Sequence, residues 1–186
     1  MTIIIRPAEA PDVPAIASLV NHYAAQNLML PRSEAQVSLA RPDFLVAIDD
    51  QGGLAGCGSL VGLTLSLAEI RSLAVAAEHH GNGLGGKIVA ALLEMAQRRG
   101  LDQVCALTLR PNFFQRLGFQ VVDRWSLAPK IWSECVHCPK FHRCDEIAVL
   151  MNLTEPAGKP VDIPWWRPLA QVTPLPVLRR LAPRRT

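Results

Sequence analysis

No run of apolar residues approaches the roughly 20 that a membrane-crossing helix needs, although 49% of the 186 residues are hydrophobic. The first residues, Met1 to Arg6, lack the basic start and small-residue cleavage site of a secretory signal and read as a strand. Five cysteines without such a signal lead us to expect a reducing, cytoplasmic setting and no membrane partner. Clustered positive charge is also missing from most of the chain. Residues 1–153 carry 13 basic and 14 acidic side chains, so nucleic acid is not expected as the main partner. The excess charge sits in residues 154–186, with 6 basic and 2 acidic side chains. Seven of the fifteen prolines also fall there, and this segment is expected to be an extended tail. No internal repeat is visible. The length favours one domain, residues 1–153, followed by that proline-rich basic appendage.

What the body does contain is alternating strand and helix signals. Ile3–Ile5 is β-branched and predicts a first strand. Val13, Ile16, Ala17, Val20 and Ala24 share one helical face. Ser33 is placed to cap a short helix over Glu34–Leu39. Phe44–Ile48 reads as a buried strand, and Asp49–Gly53 as a hairpin turn rich in residues that tolerate positive φ. Leu54–Gly62 is the return strand and Ala68–Val75 the next. A glycine-rich turn, His79 to Gly86, precedes a helix with Ile88, Val89, Leu92, Leu93 and Ala96 on one side, ending near Gly100. Further strands are expected at Val104–Thr108, Phe119–Val122 and Ile147–Leu153, with a short helix over Asn112–Leu117.

The strand, glycine turn and helix together make an anion site. The first helical turn has unpaired N–H groups and a partial positive charge. Gly81, Gly83, Gly85 and Gly86 let backbone approach a pyrophosphate closely. A Walker phosphate loop is excluded, because Gly-Gly-Lys87-Ile88 stands where Gly-Lys-Ser/Thr is required. A dinucleotide loop normally follows the first strand, whereas this turn comes halfway along. A ligand-free glycine turn remains the other reading of these glycines alone.

Order and spacing add to that. Glu69-Ile-Arg-Ser-Leu-Ala-Val75, then His80-Gly-Asn-Gly-Leu-Gly85, then Phe113-Phe-Gln-Arg-Leu-Gly-Phe119 resembles the GNAT acetyltransferase family over about residues 2–153. Gly83 and Gly85 match that family's loop, while His80 stands where it has Arg or Gln. The resemblance implies an α/β (α+β) fold, with a mixed central sheet splayed at the cofactor and helices on both faces. It implies acetyl-CoA as cosubstrate, held by His80, Gly81, Asn82, Gly83, Leu84, Gly85 and Gly86. By the same resemblance Leu73, Ala74 and Val75 pair their backbone with the pantetheine arm, and Asn112 and Phe113 lie near the far side of the cofactor.

A narrower likeness suggests the acyl acceptor. Leu28-Met-Leu-Pro-Arg-Ser33, Asp43-Phe-Leu-Val-Ala47, Gly56-Cys-Gly58 and Ala106-Leu-Thr108 are similar to the acetyltransferase domain of N-acetylglutamate synthases, in their short stand-alone form. Those enzymes acetylate the α-amine of glutamate at the start of arginine synthesis. An α-ammonium must lose a proton before attacking a thioester, and a nearby carboxylate can take it. Glu69 matches the family's catalytic glutamate, and burial among Leu67, Ala68, Ile70 and Leu73 would raise its pKa. It also reads as a strand-end partner of Arg71. Many GNAT enzymes protonate the departing thiolate with a Tyr on the short helix; here Phe114 stands there, and Tyr23 is the chain's only tyrosine. Thr108 matches a hydroxyl position of glutamate-acetylating relatives. Arg32 matches the family's substrate arginine, and Arg71, two residues beyond Glu69, lies on the same strand face. Lys130 and Arg110 are weaker candidates.

Cys135-Val-His-Cys138, with Cys144 beyond, is half of a zinc pattern: one Cys-x-x-Cys pair and a single further thiol. The plainer reading is a loop of small buried thiols. Three functions compete at this level. The first is an amino-acid N-acetyltransferase preferring glutamate. The second keeps acetyl-CoA but acetylates a peptide, polyamine or antibiotic. The third is a non-catalytic acyl-CoA-binding or metal-sensing module. Trp165-Trp166 in the tail is expected to dock on the body or on a second subunit of a homodimer, since adjacent indoles are seldom left bare.

Overall fold

The computed structural model describes residues 2–133, 135–138 and 140–153. The tail and its tryptophans lie outside the described residues. Among the described residues seven strands form one open sheet in the order β1-β2-β3-β4-β5-β7-β6. They are β1 Ile4–Pro7, β2 Phe44–Ile48, β3 Leu54–Gly62, β4 Leu67–Val75, β5 Gln103–Thr108, β6 Gln120–Val121 and β7 Ile147–Asn152. Among the described residues only β4 and β5 run parallel; every other neighbour is antiparallel.

Helices cover both faces. The α1 helix, Val13–Ala24, buries Val13, Ile16, Ala17 and Val20, the spacing that puts one apolar stripe against a sheet. With Val37 of α2 (Glu34–Ala40) this stripe packs on Phe44, Val46, Cys57 and Ala74. Ser33 caps α2 as expected: its hydroxyl accepts from Gln36 N at 3.2 Å while Gln36 Oε1 accepts from Ser33 N at 2.9 Å. The long α3 helix, Leu84–Arg98, covers the opposite face, where Leu84, Ile88, Val89, Leu92 and Leu93 meet Leu45, Leu60, Ile70 and Val104. The short α4 helix, Pro111–Arg116, lies on that same side through Phe114. The hairpin turn is built as expected, with Asp49 Oδ1 accepting from Gln51 N and Gly53 N, and Gly52 at φ 81°.

Two irregularities shape the site. First, β4 and β5 pair only at Leu67↔Gln103, Ala68↔Val104 and Glu69↔Cys105, after which they separate. Second, β4 bulges. Cys57 faces Ala74 and Ser59 faces Arg71, so Ser72 and Leu73 together oppose Gly58, and Ser72 sits at φ 49°. The extra residue reverses the alternation of side chains. Glu69 and Arg71 share one face, while beyond the bulge Leu73 and Val75 turn towards α3 and Ala74 towards α1.

The region between β6 and β7 departs from the sequence reading. It holds a fifth helix, α5 (Ala128–Ser133), and three 3-10 turns at Arg124–Ser126, Cys135–His137 and Phe141–Arg143. The expected strand Phe119–Val122 shortens to two residues, and α3 starts at Leu84, so Gly85 and Gly86 are helical. No helix among the described residues is long and apolar enough to cross a membrane.

Candidate active site

The divergence of β4 and β5 opens a cavity of about 1140 Å³, larger than the roughly 300–1,000 Å³ of ordinary small-molecule sites. One end is the glycine turn. Gly81 and Gly83 stand at φ 79° and 72°, and Gly83 is the N-cap of α3. A Cβ at either position would meet nothing within 4 Å, so both present bare backbone to open space. The first turn of the 15-residue α3 points its unpaired N–H groups that way. Lys87 and Arg116 add positive charge to the same wall. Gly85 is packed instead, since its Cβ position lies 3.4 Å from Phe113 Cζ. His80, Gly81, Gly83, Leu84, Gly85, Gly86, Leu73, Ala74, Val75 and Phe113 all line the cavity. Asn82 and Asn112 do not: both are exposed, Asn82 at the tip between two glycines and Asn112 on the outer side of α4.

His80, although exposed, is tied to the end of β4 and to α1. Its Nε2 lies 2.8 Å from the Val75 carbonyl and 2.9 Å from Tyr23 Oη, and the two rings stack at 6.4 Å between centroids. Tyr23 Oη donates to the same carbonyl at 2.5 Å. Burial pushes the Tyr23 hydroxyl above its ordinary pKa, with a smaller lowering by Arg110, so it remains a proton donor. Ala76 N donates to Ala55 O, and Cys57 opposes Ala74. By alternation, the backbone groups of Val75 therefore point away from β3 into the gap. Tyr23 was not expected in the site. The available sign was its place one turn beyond Val20 on the buried stripe of α1.

The other end of the cavity is polar. Glu69 is 3% exposed and paired with Arg71 Nε and, at 2.9 Å, with Lys130 Nζ. Lys130, itself 8% exposed, comes from α5 and reaches under the sheet to meet it. The pairing with Arg71 was the alternative reading of Glu69; the structure adds Lys130 as a second cation beside the carboxylate. Lys130 thus matters more than its place in the sequence suggested. Arg32 lines the cavity from the loop before α2, where Asn21 holds its backbone through bonds of 2.8 and 3.0 Å. Thr108 also lines it, its hydroxyl accepting from Arg110 N at 2.9 Å. Phe114 is buried against Phe113 and Phe119, so no hydroxyl enters from α4 at that position.

The cysteine segment forms the remaining wall. Cys135, His137, Cys138, Phe141 and Cys144 line the cavity, and Cys138 N donates to Cys135 O at 3.0 Å. Among the described residues no group of three His, Cys, Asp or Glu side chains converges as a metal site. Burial raises the Cys135 thiol above its usual pKa, with Lys130 acting in the opposite sense.

Known proteins place this architecture. Residues 40–121 match the family model described as an acetyltransferase (GNAT) domain. An uncharacterized N-acetyltransferase of Chlorobaculum tepidum is 37% identical over 149 residues, which is 80% of this chain and 96% of that protein. The chain belongs to the GNAT acetyltransferase family. Within it, an amino-acid acetyltransferase of Mycobacterium tuberculosis is 35% identical over 133 residues, covering 70% of this chain and 76% of the relative. Among solved structures, a Mycobacterium tuberculosis protein in complex with CoA and NLQ superposes with a TM-score of 0.71 at 30% identity. That match covers 81% of this chain and 99% of the other. The expected GNAT fold, N-acetyltransferase class and likeness to amino-acid acetyltransferases are therefore borne out, and acetyl-CoA is the cosubstrate that agrees with the CoA-bound neighbour.

Proposed function

We propose that this chain transfers the acetyl group of acetyl-CoA to the α-amine of an amino acid, with L-glutamate as the preferred acceptor. The observation that carries this reading is the Glu69–Lys130–Arg71 cluster, buried in the same cavity as the bare glycine turn. The residues present suit the cosubstrate: open backbone at Gly81 and Gly83, cations at Lys87 and Arg116, and an apolar channel past Leu73, Val75 and Ala106. When bound, the thioester supplies an activated acetyl carbon.

The chain's own groups then divide the work. The α3 N-terminus and the glycine amides hold the pyrophosphate. Leu73 and Val75 offer backbone to the pantetheine arm in the gap between β4 and β5. Glu69, directly or through one water, takes the proton of the acceptor's ammonium. Thr108 stands near the end of β5 to return a proton to the thiolate. Arg32 grips a substrate carboxylate, a contact that guanidinium geometry favours.

A second reading keeps the transfer but enlarges the acceptor. Leu28 and Leu30 are 38% and 46% exposed and line the cavity, which suits a peptide or polyamine with apolar contacts. One assay decides. Purified protein with acetyl-CoA and a panel of amines, read by free CoA thiol, should release thiol fastest with L-glutamate. Glu69→Gln should lower kcat roughly 10²-fold or more, the usual scale of acid–base help. A wild type that acetylates a peptide or polyamine but no free amino acid would remove the acceptor assignment and leave the transferase.

A further inference from the structure

Glu146 lies just before β7 and lines the same cavity as Glu69. The sheet register explains why. Glu69 pairs with Cys105, and Cys105 with Leu150. Residues directly opposite share a face, and every second residue along a strand returns to it. Ala148 and then Glu146 therefore follow Leu150 on the Glu69 face, the side roofed by Leu127 and Lys130 and opposite α3. The two carboxylates differ in company. Glu69 is held between Arg71 and Lys130. Glu146 is half-buried, and the Cys144 thiol lies 4.0 Å from its Oε2. Among the described residues no ion pair within 4.0 Å includes it. Burial, and after it the charge of Glu69, push its carboxyl above the ordinary range. Lys130 opposes this; Asp145 then adds to it by less, and Lys140 lowers it least. A half-buried carboxylate with no close ion pair is stabilised by a cation that enters beside it.

We propose that Glu146 receives the ammonium group of the acyl acceptor. The amine thereby enters the cavity against one carboxylate, while the acceptor's own carboxylates turn to the cationic walls. This rests on the amino-acid acetyltransferase reading and adds a residue that sets which acceptors bind: those presenting a primary ammonium beside an acidic group.

The test uses L-glutamate and glutarate, which carries the same two carboxylates and no ammonium. Both are titrated calorimetrically into CoA-saturated wild type, Glu146→Gln and Glu146→Asp. Wild type should bind L-glutamate more tightly than glutarate. Glu146→Gln should weaken L-glutamate on the order of tenfold or more, the scale of a charge-assisted contact, and leave glutarate unchanged. Glu146→Asp should recover part of the loss. In turnover the defect should appear mainly in KM for the acceptor, with KM for acetyl-CoA unmoved. Equal weakening of both ligands, or no weakening of either, overturns the proposal. If wild type binds neither ligand but acetylates another amine, that amine and its deaminated counterpart replace the pair. The acceptor assignment then fails on its own, while a loss confined to the amine still supports Glu146 and an equal loss still overturns it.

Discussion

Gly56 of β3 lies where α3 presses on the sheet. A methyl group there would stand 2.9 Å from the Ala74 carbonyl oxygen, 2.9 Å from Ile88 Cδ1 and 3.4 Å from Val75 Cα. Ile88 is fully buried and the carbonyl belongs to the backbone of β4, so neither yields without moving its neighbours. Overpacking of this kind costs about 1–3 kcal/mol. Gly62, at the far end of the same strand, has nothing within 4 Å of its Cβ position. Both Gly→Ala changes gain about 0.4–1 kcal/mol by restricting the unfolded chain. Comparing the two variants cancels that gain and leaves the clash. At roughly 2–4 °C per kcal/mol for a chain of this size, Gly56→Ala should melt roughly 2–12 °C below Gly62→Ala by circular dichroism. Because the displaced backbone adjoins Leu73 and Val75, Gly56→Ala should also weaken acetyl-CoA binding where Gly62→Ala does not. Melting of the two variants within about 1 °C of each other would refute the reasoning that a methyl group at Gly56 clashes with Ile88 and the Ala74 carbonyl.

Gly83→Val should abolish the rise in melting temperature that acetyl-CoA confers by mass action, because a side chain would enter the open space before α3; a normal shift would remove the loop assignment. Cys57 and Cys105 are fully buried and their thiols are pushed up to about 12, by burial in both cases. A thiol-disulfide reagent should therefore leave both unlabelled in the native protein and modify them only on unfolding, as peptide mass mapping would show. The Arg6 hydrogen bond, more than any other influence, holds the Asp12 carboxyl below its ordinary value. Asp12 thus contributes stability above the ordinary carboxylate range, and that contribution fades as pH falls through the depressed folded value. Asp12→Asn should flatten the acid limb of a urea-midpoint profile between about pH 5 and pH 2.

What the sequence made legible was local. The stripe of Val13, Ile16, Ala17 and Val20, the Ser33 cap and the Asp49 turn each depend on residues within one or two turns of one another, so pattern and chemistry agree. The glycine turn was legible for the same reason. The bulge at Ser72 was not, because a serine at positive φ carries no mark; it is imposed by the pairing of β4 with β3. The Tyr23–Val75 bond spans 52 residues in sequence. Lys130 was underrated because α5 is a helix of only six residues among prolines and cysteines, too short for a periodicity to orient it. Glu146 gains meaning only from a register running across three strands. The acceptor end of the site is assembled by tertiary pairing, whereas the bare backbone of the cofactor end comes from the contiguous turn before α3.

The three-pair seam between β4 and β5 has a consequence for how the molecule holds itself together. Each side of the seam is a complete ladder, β1 to β4 and β5 to β7, yet past Glu69 and Cys105 they meet as two unpaired strand edges in the middle of the sheet. Such edges exchange amide hydrogens readily and invite foreign strands. Tyr23 and His80 already stopper one of them by occupying the Val75 carbonyl. A ligand lying in the gap would serve as the missing rung, so residues 73–75 and 106–108 should gain protection from deuterium exchange together, as one unit that closes on binding.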